Sequence, residues 1–150
     1  VSNGGNLLLD IGPKADGTIP DEQVHILKEL GAWNKRNGTA IFNTIGGIPQ
    51  GHFYGPTTLS KDSTTLYLFL HGKTSGPVMV KGLDNKIKSI EVLGSSATLK
   101  SKVVGKISWS PVPGLVYIDV PATILDKYIT VLKVTLDKPV KLYRGKGGLG

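Results

Sequence analysis

Asn6-Leu7-Leu8-Leu9-Asp10-Ile11-Gly12-Pro13 is an unbroken apolar run closed by a Gly-Pro stop. Such a run fits a strand buried on both faces, the pattern of parallel sheets. Lys14 to Thr18 follow as a loop, with Asp16-Gly17 as its turn signal. Pro20 then stands where a helix accepts proline, in its first turn, and Asp21 and Glu22 suit the positive end of the helix dipole there. Val24, Leu27, Leu30 and Trp33 recur at helical spacing, and Ile26 widens the stripe. Lys35 and Arg36 close the last turn, and Asn37-Gly38 predicts a glycine stop. Residues 6–37 therefore read as one βα unit. A lone strand of the parallel type needs neighbours on both sides, and its helix needs a sheet to cover. Nothing after residue 45 supplies a second βα unit. The expectation is that residues 1–45 are the last βα unit of an upstream (β/α)8-type barrel, a fold of ~250 residues.

Residues 46–150 read differently. Thr64 to His71 alternates Leu66, Leu68 and Leu70 against Tyr67, Phe69 and His71. Further strands are predicted at Pro77–Lys81, Lys86–Leu93, Leu99, Ile107–Trp109, Leu115–Val120, Tyr128–Leu136 and Val140–Tyr143. Within Lys86–Leu93 the apolar phase slips, which predicts a bulge. Asp84-Asn85, Pro111-Val112-Pro113-Gly114 and Asp137-Lys138-Pro139 separate the strands. About eight short strands at this spacing read as a β-sandwich. Gly- and Pro-rich residues 46–63 read as the linker and first crossing. The fold class is thus mainly β: a C-terminal β-sandwich over 46–150, preceded by the last strand-helix unit of a barrel.

The composition bounds the function. The 150 residues include no Cys, which excludes disulfides, thiolate metal sites and a Cys nucleophile. No apolar run approaches the ~20 residues of a membrane-spanning helix. The only Met is Met79 and the sequence opens at Val1, so it is expected to start inside a longer gene product. No signal peptide is visible. Charge is uneven: residues 1–45 carry a net −1, whereas residues 46–150 carry 14 basic and 6 acidic side chains. All but one of those basic residues are Lys, the exception being Arg144. Lys on alternate strand positions reads as a solvated face and protected sheet edges. An anionic polymer is the sharper reading. Nucleic-acid sites, however, lean on Arg and on aromatics interleaved with basic residues, and neither pattern is present.

Candidate chemistry is sparse. His25 lies on the predicted helix, His52 in a loop and His71 at a strand end, without metal-ligand spacing. Gly145-Lys146-Gly147-Gly148-Leu149-Gly150 matches G-x-G-x-x-G but has no helix after it, and reads as a tail. Asn37-Gly38-Thr39 matches a glycosylation sequon, yet the helix stop explains it. Glycoside hydrolysis needs two carboxylates across a sugar, ~5–5.5 Å apart for retention of configuration. Asp10 sits near the end of the first predicted strand, where barrel chemistry is placed. Asp16 reads as a turn residue, and Asp21 and Glu22 as helix-start residues. Phe53, Tyr54, Trp109 and Tyr117 could form a sugar platform, with a core or interface role the plainer reading of Trp109.

Asn6 through Pro20, continued by Leu30-Gly31-Ala32-Trp33, Asn37-Gly38 and Ala40-Ile41-Phe42-Asn43-Thr44, resembles the last barrel segment of the α-L-fucosidases of glycoside hydrolase family 29. Gly114-Leu115 to Pro121 and Val131–Val134 to Pro139-Val140 are similar to the sandwich that follows it in that family. Asp10 stands where the family more often has Asn. The resemblance implies a retaining exo-glycosidase that removes terminal α-L-fucose, with an Asp nucleophile and a Glu acid/base. Both belong to the upstream barrel and map onto no position here, so no catalytic, cofactor-binding or metal-binding residue is assigned. It further implies no cofactor, and partners limited to a fucosylated glycan held by the barrel and the remainder of the same enzyme. Neither nucleic acid nor a membrane span is expected. The setting implied is a bacterial glycan-degrading system, periplasmic or secreted. The sandwich is expected to buttress the barrel, and the chain alone to be inactive. The alternative is a stand-alone glycan-binding sandwich. With no barrel beside them, Leu7–Leu9 and the Leu27/Leu30/Trp33 stripe should be exposed.

Overall fold

The computed structural model describes residues 1–72 and 76–145. Helix α1 spans Asp21–Asn37. Eight strands follow among the described residues: β1 Thr44–Gly46, β2 Thr57–Ser60, β3 Thr65–His71, β4 Val78–Lys81, β5 Ile87–Val92, β6 Ser101–Val104, β7 Leu115–Ile118 and β8 Ile129–Leu136. They form two antiparallel sheets. One has the order β1-β2-β3-β8-β5 and the other β4-β7-β6.

Strand periodicity places the core. On β3, Leu66 and Leu68 pair with Val134 and Leu132 of β8, and all four point between the sheets. Ile90 and Val92 of β5 add to the same face, as do Leu59, Val80, Val116 and Ile118. The phase slip in the sequence of β5 corresponds to a register shift between Ile87 and Ser89. The alternate side chains of β3 and β8, Tyr67, Phe69 and Val131, face the other way and are also buried. They pack against Trp33 and Ala40. The five-stranded sheet is thus the middle of three layers. That is why β3 reads as almost continuously buried rather than half-buried.

Helix α1 is fixed to this outer face by polar contacts as well. The Trp33 indole N–H donates to the Ile129 carbonyl at 2.9 Å. Arg36 pairs with Asp126 at 2.9 Å, and the Tyr128 hydroxyl donates to Glu29 at 2.8 Å. Beyond the helix, the Thr58 hydroxyl donates to the Ala40 carbonyl at 2.7 Å in a buried setting. Thr58→Val keeps the shape but leaves that carbonyl unpaired. It should lower stability by about 1–2 kcal/mol in urea unfolding, and an unchanged midpoint would contradict this role.

The structure departs from the sequence reading at several points. Asn6–Ile11 pairs with no strand among the described residues. Leu7 is 77% exposed and Leu8 93%, as expected for a two-faced strand without neighbours. The Leu27/Leu30/Trp33 stripe does not share that fate. Trp33 is buried and Leu27 and Leu30 are half-buried, because the helix finds the sandwich sheet to cover. Gly38 does not end the helix in a left-handed conformation. Its φ is −57°, and the chain tightens into a 3₁₀ turn over Gly38–Ala40. The left-handed residue comes later, at Asn43. Residues 46–63 are more than a linker: β2 falls wholly within them, and its Thr57 and Thr58 are buried. Ile107–Trp109 forms no strand, and its predicted place is taken by β6. Val140–Tyr143 forms no strand; it makes the Leu83–Leu142 bridge and backbone hydrogen bonds with Ser63, Gly82 and Asp84. The G-x-G-x-x-G match lies, apart from Gly145, outside the described residues.

Candidate functional site

An apolar cleft of about 980 Å³ opens where the N-terminal segment, α1 and the five-stranded sheet meet. The segment is stitched to the sheet edge by the Gly47 N–H, which donates to the Ser2 carbonyl at 3.0 Å. Leu7 and Leu9 stand on one wall, Leu30 and Trp33 on the second, and Phe42, Ile45 and Phe69 on the third. Phe42 is 61% exposed although it lies among these apolar side chains. Exposed apolar groups converging on one face mark a packing surface. They carry no catalytic groups.

The carboxylates considered from the sequence occupy structural roles. Asp10 is exposed and accepts the N–H of its neighbour Ile11. Asp16 accepts the Thr18 backbone N–H at 2.9 Å and the Thr18 hydroxyl at 2.7 Å. The hydroxyl bond and then the backbone bond hold its carboxyl below the usual range, opposite to what a general acid requires. Asp21 and Glu22 lie in the first turn of α1. No cluster of three metal-binding side chains occurs among the described residues. His25 is exposed on α1 beside Ile26 and Glu29.

The aromatic candidates divide. Phe53 is half-buried and forms a bridge with Val80, so it anchors its loop. Tyr117 is half-buried on β7, opposite Met79. Tyr54 is fully exposed, and Trp109 is 83% exposed rather than in the core. Sequence spacing did not foresee that His52 and His71, 19 positions apart, line one cleft of about 670 Å³ with Tyr54. Only the sheet topology brings them together, because the 51–55 loop runs beside β4 next to the end of β3.

The sequence pattern of the family described as Alpha-L-fucosidase matches residues 1–39. Human plasma alpha-L-fucosidase is 38% identical over 84 residues, covering 53% of this chain and 18% of that protein. The tissue alpha-L-fucosidase of Macaca fascicularis is 31% identical over 115 residues, covering 75% of this chain and 23% of that protein. Alpha-L-fucosidase isoenzyme 1 from Paenibacillus thiaminolyticus superimposes with a TM-score of 0.74 at 28% identity, over 89% of this chain and 31% of the other. The chain is similar to a portion of the α-L-fucosidases. It matches less than a third of the length of these relatives. The Thermotoga maritima alpha-fucosidase, solved with a mechanism-based inhibitor, superimposes over 87% of this chain with a TM-score of 0.64 and 27% identity. Both the helix-bearing first part and the sandwich are therefore shared with whole fucosidases. The family pattern falls on the unpaired N-terminal segment and on α1.

Proposed function

We propose that this chain is the C-terminal portion of a retaining α-L-fucosidase that removes terminal α-L-fucose from glycans. In this reading residues 1–45 complete a (β/α)8-type barrel and residues 46–150 buttress it. The nucleophile and acid/base are supplied by the barrel, outside these residues. The carrying observation is the cleft itself. It presents the exposed Leu7–Leu9 run beside Leu30 and Phe42, while α1 is fixed to the sandwich through Trp33. A face of that composition is a packing surface for further strands and helices. The sandwich thereby acts as a rigid backing for the outer side of the last barrel helix. Extracytoplasmic action, periplasmic or secreted, accompanies this reading.

The test is hydrolysis of a chromogenic aryl α-L-fucoside. The polypeptide made from the native reading frame that contains this sequence should cleave it and release fucose with retained configuration, followed by proton NMR of the product. The 150-residue chain alone should release none. Turnover by the chain alone would overturn the buttress reading, and no turnover by the native polypeptide would overturn the fucosidase reading.

A further inference from the structure

A second concave surface lies at one end of the sandwich, lined by none of the residues of the apolar cleft. Two clefts, of about 670 and 430 Å³, meet there. They share Gly51, His52 and Lys81. Tyr54 stands on the wall of the first. Trp109 stands on the 105–114 loop, whose Gly105, Val112 and Gly114 line the second.

These are the two most exposed aromatic side chains among the described residues. Leaving such rings in water forgoes much of the burial they could gain, and an aromatic ring with a polar tip suits a partner that is apolar on one face and polar at its edge. The loops that present them are not loose. Phe53 is held in the core and bridges Val80. The Lys81 N–H donates to the His52 carbonyl at 2.7 Å, and the Phe69 N–H donates to the Pro56 carbonyl at 3.1 Å. Gly55 has a φ of +148°, and a Cβ there would lie 2.7 Å from the Phe69 carbonyl oxygen. The backbone therefore presses so closely on β3 that only glycine fits beside Tyr54. Gly114 does the same for the other loop, since a Cβ would lie 2.6 Å from the Val104 carbonyl oxygen.

The polar groups that the two clefts share are oriented too. The Nδ1 atom of His52 lies 2.8 Å from the Lys81 carbonyl oxygen. A carbonyl can only accept, so Nδ1 carries the proton and Nε2 of the neutral ring is left as an acceptor for a hydroxyl. Lys81 adds an exposed donor beside it.

We infer that this end of the sandwich is a carbohydrate-binding surface for neutral oligosaccharides, with Tyr54 and Trp109 as stacking platforms and His52 and Lys81 contacting hydroxyls. A pyranose ring meets each requirement: an apolar C–H face for the aromatic and a rim of hydroxyls for the imidazole and ammonium. The wall that the two clefts share is Gly51, His52 and Lys81, where hydroxyls can reach the imidazole and the ammonium beside the Tyr54 ring.

The probe is 2′-fucosyllactose, titrated into the ¹⁵N-labelled 150-residue chain and followed by backbone amide shifts. Shifts should concentrate at Gly51–Gly55, Lys81 and Gly105–Gly114 and persist in about 0.5 M NaCl, where charge-driven binding is screened. Tyr54→Ala and Trp109→Ala should each weaken binding about tenfold, as removing an aromatic anchor does. Both side chains are solvent-exposed, so the fold is unaffected, and the same spectra verify that. Absence of shifts at millimolar sugar, shifts untouched by both variants, or binding abolished by salt would each overturn the inference. None of these outcomes bears on fucoside hydrolysis by the native polypeptide.

Discussion

Replacing Trp33 by Ala should detach α1 from the sandwich and cost about 3–5 kcal/mol, the usual loss for a buried Trp or Phe truncated to Ala. Trp33 is the centre of the smaller core, packed with Ala40, Tyr67, Phe69 and Val131. Its removal opens a hole against the middle sheet and leaves the Ile129 carbonyl without its indole donor. The remaining ties of α1 do not compensate. Arg36–Asp126 and Lys127–Glu29 are surface pairs, whose attraction water screens. The larger core, built on Leu66, Leu68, Leu132 and Val134, does not involve the helix. Hydrogen exchange should therefore separate the two layers. Amides of α1 should lose protection in Trp33→Ala, while those of β3 and β8 stay slow. Trp33→Phe, which keeps most of the buried area and drops the hydrogen bond, should fall between. A loss below about 1 kcal/mol with unchanged protection of α1 would show that the helix is held by something else.

This division of labour also explains what could be read from the sequence. β3, β4, β5, β7 and β8 were legible because each has an apolar period that one buried face enforces. Helix α1 was legible from Pro20, its acidic first turn and the Val24/Leu27/Leu30/Trp33 stripe. β1 and β2 were not. Ile45 is the only large apolar residue of β1, and β2 reads Thr-Thr-Leu-Ser, so neither carries a pattern. Thr57 and Thr58 are buried there because their hydroxyls serve as local donors and acceptors to Ile48 and Ala40, which no periodicity announces. The apolar run at Leu7–Leu9 was read as a strand. It has strand composition but pairs with no strand among the described residues, and composition alone cannot close a ladder.

The candidate site divides along the same line. That Asp16 serves a turn and Asp21 and Glu22 a helix start follows from the Asp-Gly and Pro-Asp-Glu punctuation, and the geometry agrees. Trp109 was the reverse case. Ile107–Trp109 reads as a strand and Trp109 as a core or interface residue, yet the loop is set by Gly105 and Gly114, both in the left-handed region, and turns the ring outward. The meeting of His52 with His71 needs the pairing of β2 with β3 and of the 51–55 loop with β4, long-range facts without a local signature.

Two glycine substitutions should act with opposite signs, and the larger tests the join between the two parts of the chain. Gly47 lies against β2 where a Cβ would collide with the Thr57 hydroxyl oxygen and with the Thr57 backbone carbonyl. Backbone cannot rotate away as a side-chain tip can. Gly47→Ala must therefore push β1 off β2, break the Ile48 N–H bond to the Thr57 hydroxyl and strain the Gly47 N–H bond to Ser2. The expected loss is about 3 kcal/mol, at the upper end for overpacking. It should appear as a lower urea midpoint together with faster exchange in the first strand pair. Gly31 is the internal control. It lies within α1, and a Cβ there would meet nothing within 4 Å. Gly31→Ala removes the entropic cost of a helical glycine and should raise stability by about 0.5–1 kcal/mol. If Gly47→Ala proved neutral, the N-terminal segment would not be seated against the sheet edge through Ser2, and the cleft that motivates the buttress reading would lose one of its walls.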